Sequence, residues 1–460
     1  MHPKMTHSIQ SLISLQYQAA SLLVYQSVLE PEIGRTFVQL LHSLVQNYRT
    51  PEKSDVSIDC LQLYGRWFKA LARQGQSWQD YIFTQILASD NPFTQQAQHR
   101  DWQQLPASLI AAVRHDLQVL QGLAACRSED LQKWVRAISL TPLPPIDWQI
   151  ESDDIKVEVS DPRRLSAANS FREHLKQLDR WEDGVAEIAD YHQQFGAGQL
   201  AQYDAFRWQL GELVGIAHPD RIRLQELAAY ELPKQQLIQN TEFFLQGHQA
   251  LNVLLYGSRG SGKSSLVKSL LWEYADRGLR LVEVAKSELI HLSEIVELLR
   301  DRPQKFIIFV DDLSFEDDDE AFKSLKVVLE GSLTARSENI IVYATSNRRH
   351  LVREFFDDRP RPQDSDEVHA WDTIQEKLSF SDRFGLTLTF EAADQPTYLE
   401  IVRHLATQAN LNITPQDLEF RALQWATRRN GRSGRTARQF VDVLSAELHS
   451  SRAIDFTKRD

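Results

Sequence analysis

Residues Gly257-Ser258-Arg259-Gly260-Ser261-Gly262-Lys263-Ser264 place a glycine, four residues, then glycine, lysine and serine in succession, the spacing of a phosphate-binding loop. Glycines at 257, 260 and 262 let the backbone turn where a Cβ would resist, so that successive N–H groups converge on one anion. Lys263 carries the charge that would reach the terminal phosphates of ATP, and Ser264 a hydroxyl able to ligate Mg²⁺. Ser258, Arg259, Ser261 and Ser265 complete the set expected to line the nucleotide. A helix opening at Lys263 would turn its positive end toward the same phosphates.

A second acidic element follows. Lys305 to Val310 is an apolar run that ends in Asp311 and Asp312. Ligands gather at the carboxyl ends of buried parallel strands, which puts Asp311 where it can hold Mg²⁺ through the ion's water shell. Ile340 to Thr345 is another apolar run, and Asn347 just beyond it could orient a water against the γ-phosphate.

These groups need a sheet and helices to hold them. Val253 to Tyr256 reads as the strand feeding the glycine loop, Leu279 to Ala285 and Leu386 to Phe390 as further strands, and Leu292 to Leu299 as a helix between them. Asp204 to Gly215 reads as one short strand, and Leu232 to Leu245 as a helix closed by Gly247. Ile222 and Leu224 to Tyr230 are candidates to hold base and ribose, with core packing an equal alternative. Thr397 to Gln408, Pro415 to Thr427 and Thr436 to Leu448 have helical spacing and suffice for a small lid.

The first part of the chain carries no catalytic pattern. Apolar residues from Ser8 to about Ser139 recur at helical spacing, broken at Pro31, Pro51 and Pro92, which predicts a helical bundle. Trp67, Trp78, Trp102 and Trp134 are expected to pack between its helices. The proline-rich LTPLPPIDW, Leu140 to Trp148, reads as a connector, and Ala167 to Phe195 as a long charged helix forming an exposed arm that ends at Gly196 and Gly198. The expected division is a helical domain over 1–146, linker and charged helix over 147–204, a nucleotide-binding core with its lead-in over 205–391, and a helical lid over 392–460.

At 460 residues the chain exceeds one ordinary core. Two cysteines, Cys60 and Cys126, exclude a disulfide framework and a four-thiolate zinc site, which suits a reducing cytoplasm. A net charge of −12 works against bulk affinity for nucleic acid and favours protein partners. No stretch is apolar for long enough to span a membrane, and the first residues lack a signal-peptide pattern.

From about Asp220 to Leu448 the order of features resembles the AAA+ ATPases. Walker A matches Gly257 to Ser264, Walker B matches Phe306 to Asp312, and sensor 1 matches Asn347; Ser381 to Gly385 looks like the arginine-finger box, and Gly434 to Arg438 like sensor 2. The segments NTEFFLQG, NVLLYGSRGSGKSSLVKSLL, FVDDLSFE, ATSNRRHL, SDRFGL and GRSGRTARQF are similar to a prokaryotic family of AAA+ ATPases that carries a domain-of-unknown-function label. The resemblance implies an α/β phosphate-loop sandwich, with a five-stranded parallel sheet flanked by helices, a C-terminal helical lid, and ATP between sheet and lid. The all-α N-terminal domain lies outside it.

By the same resemblance Lys263 contacts the β- and γ-phosphates, Ser264 and Asp311 serve Mg²⁺, and Asn347 positions water. Arg383 reaches the site of a neighbouring subunit in a homo-oligomer, and Arg435 meets the γ-phosphate from the lid. Asp312 occupies the place where most of these proteins carry the glutamate that polarises the lytic water, one methylene shorter. Glu316 is an alternative within an acidic run. The implied activity is ATP hydrolysis coupled to remodelling or loading of a protein client; a switch or scaffold with negligible hydrolysis, and a nucleic-acid loader, are the alternatives.

Overall fold

A computed structural model describes residues 3–49, 54–138, 145–148, 162–314, 320–330, 337–347, 383–429 and 431–456. Glu316, Ser381, Asp382 and the segment Phe356 to Asp372 lie outside them. The chain forms two compact units, Met1–Tyr203 and Asp204–Asp460.

The first unit is helical: α1 (Pro3–Ala20), α2 (Glu32–Arg49), α3 (Ser54–Gln74), α4 (Trp78–Ala88), α5 (Pro92–Ala97), α6 (Ala107–Ala124), α7 (Ser128–Ile138), α8 (Pro162–Gln177), α9 (Val185–Phe195) and α10 (Gln199–Gln202). Its core is built on aromatic contacts, with Phe37 stacked on Trp78 at 4.1 Å and Trp78 on Tyr81 at 5.4 Å. Trp67 and Trp78 are buried, and Trp102 and Trp134 pack partly buried against them. The carboxylate of Asp116 is buried in this unit. It accepts the amides of Leu23, Val24 and Tyr25 at 2.7–3.0 Å, which replaces its lost hydration where α1 ends.

Two expectations change here. Residues 167–195 do not form one exposed charged arm: a 3₁₀ turn at Trp181–Gly184 divides them into α8 and α9, and Phe171, Leu175, Trp181, Val185, Ile188 and Phe195 join the core of the bundle. Charge on the outer faces masked an apolar stripe on the inner ones. Of the connector, residues 145–148 lie on the bundle, where Trp148 meets Phe68 edge-on at 5.2 Å and donates to the Gln76 carbonyl.

The second unit opens with β1 (Ala205–Gln209) and β2 (Glu212–Gly215), followed by α11 (Glu231–Leu245), β3 (Val253–Gly257), α12 (Lys263–Tyr274), β4 (Leu279–Glu283), α13 (Leu292–Arg300), β5 (Lys305–Val310), α14 (Glu320–Glu330), β6 (Ile340–Ser346) and β7 (Leu386–Phe390). One sheet runs in the order β2-β1-β4-β5-β6-β3-β7, with every pairing parallel except β1 with β2. Among the described residues the sheet thus has seven strands where five were expected. Residues 205–215 hold a hairpin rather than one strand, because Leu210 and Gly211 take left-handed φ values of 54° and 80° and reverse the chain in two residues. Arg207 on its exposed side donates to Glu283 on β4 at 2.6–2.8 Å.

Strands β3, β5 and β6 are apolar and buried along most of their length, as helices covering both faces require. Their registers pair Tyr256 with Ser346 and Val310 with Ala344, so Gly257, Asp311 and Asn347 emerge at one edge of the sheet. Helices α15 (Gln395–Gln408), α16 (Pro415–Arg428) and α17 (Gly434–Phe456) follow, with a small core of their own around Tyr398, Val402, Ala422 and Phe440. Asp394 and Thr414 cap the first two by accepting the amides of Thr397 and Asp417.

Candidate nucleotide-binding site

Where β3 ends, the chain must pass the last residue of β7. A Cβ on Gly257, at φ 138°, would lie 1.9 Å from the Phe390 carbonyl oxygen, and the Ser258 amide donates to that same oxygen at 2.9 Å. Gly257 is thus demanded by strand packing. The open part of the loop runs from Arg259 to Ser265. Gly262, at φ 93°, has nothing within 4 Å of its Cβ position and is the residue from which α12 starts, so the helix's unpaired amides face open space.

That space is a cavity of about 760 Å³, large enough for a nucleotide. Five cationic side chains and three carboxylates line it: Lys234, Arg259, Lys263, Arg435 and Arg438 against Glu226, Asp311 and Asp312. The balance suits a polyanion accompanied by a cation. Lys263 is 5% exposed, and its ammonium donates to the carbonyls of Gly257 at 2.9 Å and Ser258 at 2.7 Å, with Asn347 Oδ1 at 3.5 Å. Burial holds its pKa below the ordinary lysine value, while the charges of Asp311 and Asp312 pull it back up.

The Ser264 hydroxyl donates to Asp311 Oδ1 at 2.6 Å, joining the first turn of α12 to the end of β5. Thr345 Oγ1 donates to the same carboxylate oxygen at 2.5 Å and accepts the Asp312 amide at 3.0 Å. Asp312 has a left-handed φ of 53°, and its carboxylate accepts Asn347 Nδ2 at 2.5 Å. A non-glycine residue in that region costs roughly 1–3 kcal/mol, strain of a kind that collects at functional sites. The donor set of one hydroxyl and one carboxylate matches what Mg²⁺ takes from protein when phosphates and water supply the rest. Among the described residues no cluster of three or more His, Cys, Asp or Glu side chains forms a metal cage.

A family profile described as "Protein of unknown function (DUF815)" matches residues 201–448, just over half of the chain. The chain belongs to this family. The phosphate loop on a central parallel strand, with helices following the sheet, makes the second unit an α/β phosphate-loop fold. Among solved structures the chain is similar to a point mutant of Thermotoga maritima RuvB, at 15% identity over 50% of this chain and 67% of that one, with a TM-score of 0.37. It is also similar to the Thermotoga maritima RuvB Holliday junction branch migration motor, at 14% identity over 48% and 72% with a TM-score of 0.32. A third similarity is to the replication initiator DnaA bound to AMPPCP and single-stranded DNA, at 14% identity over 52% and 70% with a TM-score of 0.34. No curated protein matches.

The two arginines singled out in the sequence, Arg435 and Arg383, fall in different places. Arg435 lines the cavity at the start of α17; its amide donates to the Gly260 carbonyl at 3.3 Å, and a Cβ on Gly260 would lie 3.2 Å from Arg435 Cβ, so loop and α17 touch. Arg383 precedes β7, whose first residue pairs with Val253 at the beginning of β3. It lies at the edge of the sheet opposite the phosphate loop and does not line the cavity.

Other cavity residues had no role in the sequence reading. Arg438, the last residue of the Gly434 to Arg438 segment, lies one helical turn after Arg435 on the same face. Thr345, Phe390, Ile401 and Leu405 reach the cavity only through sheet register and helix packing. Of the lead-in candidates, Glu226 to Tyr230 line it, whereas Ile222 does not and Leu224 joins the core. Ala229 and Tyr230 take successive left-handed φ values of 65° and 57°, a tight bend fixed where Tyr230 donates to the Glu391 carbonyl at 2.7 Å.

Proposed function

We propose that the chain is a Mg²⁺-dependent ATPase that couples ATP binding and hydrolysis to the remodelling or loading of a protein partner. The observation that carries this reading is the 2.6 Å pairing of Ser264 with Asp311 beside a buried Lys263, within a cavity lined by both the sheet edge and α15 and α17. In this reading the amides from Arg259 to Ser265 receive the phosphates, and Lys263 contacts the terminal ones. Ser264 and, through water, Asp311 would hold Mg²⁺, which would neutralise phosphate charge. Asp312 and Asn347 polarise and orient the attacking water. Arg435 meets the γ-phosphate from its own subunit, and Arg383 serves a neighbour's site in a homo-oligomer.

The acidic balance weighs against nucleic acid as the partner, and a cytoplasmic setting fits two buried thiols. No helix among the described residues is long and apolar enough to cross a membrane. Binding of Mg·ATP by wild type and its weakening in Lys263→Ala test the nucleotide part. Retention of a client by Asp312→Asn in the presence of ATP, and its release by wild type, test the remodelling part.

A specific observation favours a second reading, an ATP-dependent switch with negligible hydrolysis. Asp312 Oδ1 is engaged by Asn347 Nδ2 at 2.5 Å, which occupies acceptor capacity that a lytic water would need. Steady-state turnover across protein concentration separates the readings: the switch shows saturable binding with no turnover at any concentration.

A further inference from the structure

Beyond the end of β5 the chain does not leave the sheet at once. Residues 311–313 follow the end of β6 through successive contacts: the Asp312 amide to Thr345 Oγ1, the Leu313 amide to the Thr345 carbonyl at 2.7 Å, Ser346 Oγ to the Leu313 carbonyl at 2.8 Å, and Asn347 Nδ2 to Asp312. Thr345 is the centre of this array. It is 2% exposed, and its single hydroxyl proton goes to Asp311 while a lone pair takes the Asp312 amide.

We propose that Thr345 is a positioning residue for both carboxylates of the nucleotide site. Through Asp311 it fixes the oxygen that also receives Ser264. Through the Asp312 amide it sustains the left-handed turn at φ 53° that carries a side chain one methylene short of glutamate to Asn347. Neither effect requires Thr345 to touch the nucleotide. A β-branched residue with restricted χ1 suits the task, because the hydroxyl must serve two partners in a fixed direction. The inference rests on the nucleotide-site reading above and assigns the geometry of its two aspartates to a residue to which the sequence reading gave no role.

The test uses the full chain, a fluorescent ADP analogue with and without Mg²⁺, and steady-state ATP turnover. Thr345→Val keeps the shape and removes the hydroxyl. It is expected to leave metal-free analogue affinity within about twofold, to raise the Mg²⁺ midpoint for tight binding about tenfold, the scale of losing a partner that orients a metal ligand, and to lower kcat about 100-fold, the scale of a small misplacement of a reacting group. Thr345→Ser, which restores the hydroxyl, is expected to recover most of both. Wild-type Mg²⁺ midpoint and kcat in Thr345→Val would overturn the proposal. So would equal impairment in Thr345→Ser, which would assign the role to the methyl group's packing. Failure of wild type to bind the analogue at all is a different result and would sink the nucleotide reading along with this one.

Discussion

Ser264 Oγ lies 2.6 Å from Asp311 Oδ1, so the first turn of the helix after the phosphate loop is tied directly to the end of the strand two places away in the sheet. The two residues are 47 positions apart in the chain and meet because β3 and β5 flank β6 in matched register. Removing either group should separate metal-dependent from metal-independent binding. Ser264→Ala and Asp311→Asn are expected to bind metal-free nucleotide nearly as wild type does while losing about 10- to 100-fold in Mg²⁺-dependent affinity, measured by titration calorimetry in Mg²⁺ and in EDTA.

Gly257 and Gly262 belong to one motif and should fail differently. Gly257→Ala drives a Cβ into the Phe390 carbonyl and is expected to destabilise the unit by at least about 2 kcal/mol whether or not nucleotide is added. Gly262→Ala meets no atom and loses only about 1–2 kcal/mol to its left-handed backbone. Its principal loss should be nucleotide affinity. Denaturant melts with and without ATP distinguish the two.

The helical unit carries its own pH dependence. His192 is fully buried, its Nδ1 2.7 Å from the Gly196 carbonyl, and burial lowers its pKa from 6.5 to about 4. The unfolded chain therefore binds a proton below pH 6.5 that the folded chain refuses until about pH 4, so stability falls as pH drops through that window. The full effect is about 3 kcal/mol by the usual conversion. His192→Gln should flatten the stability profile between pH 6.5 and 4, measured by denaturant unfolding followed through tryptophan fluorescence.

Arg383 sits across the sheet from the phosphate loop and cannot serve its own subunit's site without leaving that edge. The homo-oligomer reading expects Arg383→Ala to bind ATP as wild type does and to lose the part of turnover that rises with protein concentration, by roughly 10³-fold if the arginine stabilises the transferring phosphoryl. Turnover independent of concentration in wild type, and unchanged in the variant, would remove the residue from the mechanism.

The α/β phosphate-loop fold was legible because its signals are local. Apolar strands buried on both faces, glycine at fixed spacing and carboxylates at a strand end each appear within a few residues. What escaped the sequence depends on distant partners. The β1–β2 hairpin is hidden in the sequence because Leu210, an unusual residue for a left-handed turn, gives no turn signal. The apolar positions of α8 and α9 make sense only against the bundle, and the charged residues between them conceal that stripe in the sequence.

Gly257 was legible as glycine but not for its reason, since the clash comes from Phe390, far along the chain. Thr345 is one threonine at the end of an apolar strand, and its role appears only when the register of β5 and β6 sets it between Asp311 and Asp312. The left-handed Asp312, which brings a shorter acid to Asn347, likewise has no local sequence mark.

Titration calorimetry of Mg·ATP into the full chain, wild type beside Lys263→Ala, tests the central claim most directly. The account predicts saturable binding at about one nucleotide per chain, weakened about 10- to 100-fold when the buried ammonium is removed, the worth of a charge-assisted contact. No heat with wild type under any Mg²⁺ condition, or identical affinity in the variant, would contradict it.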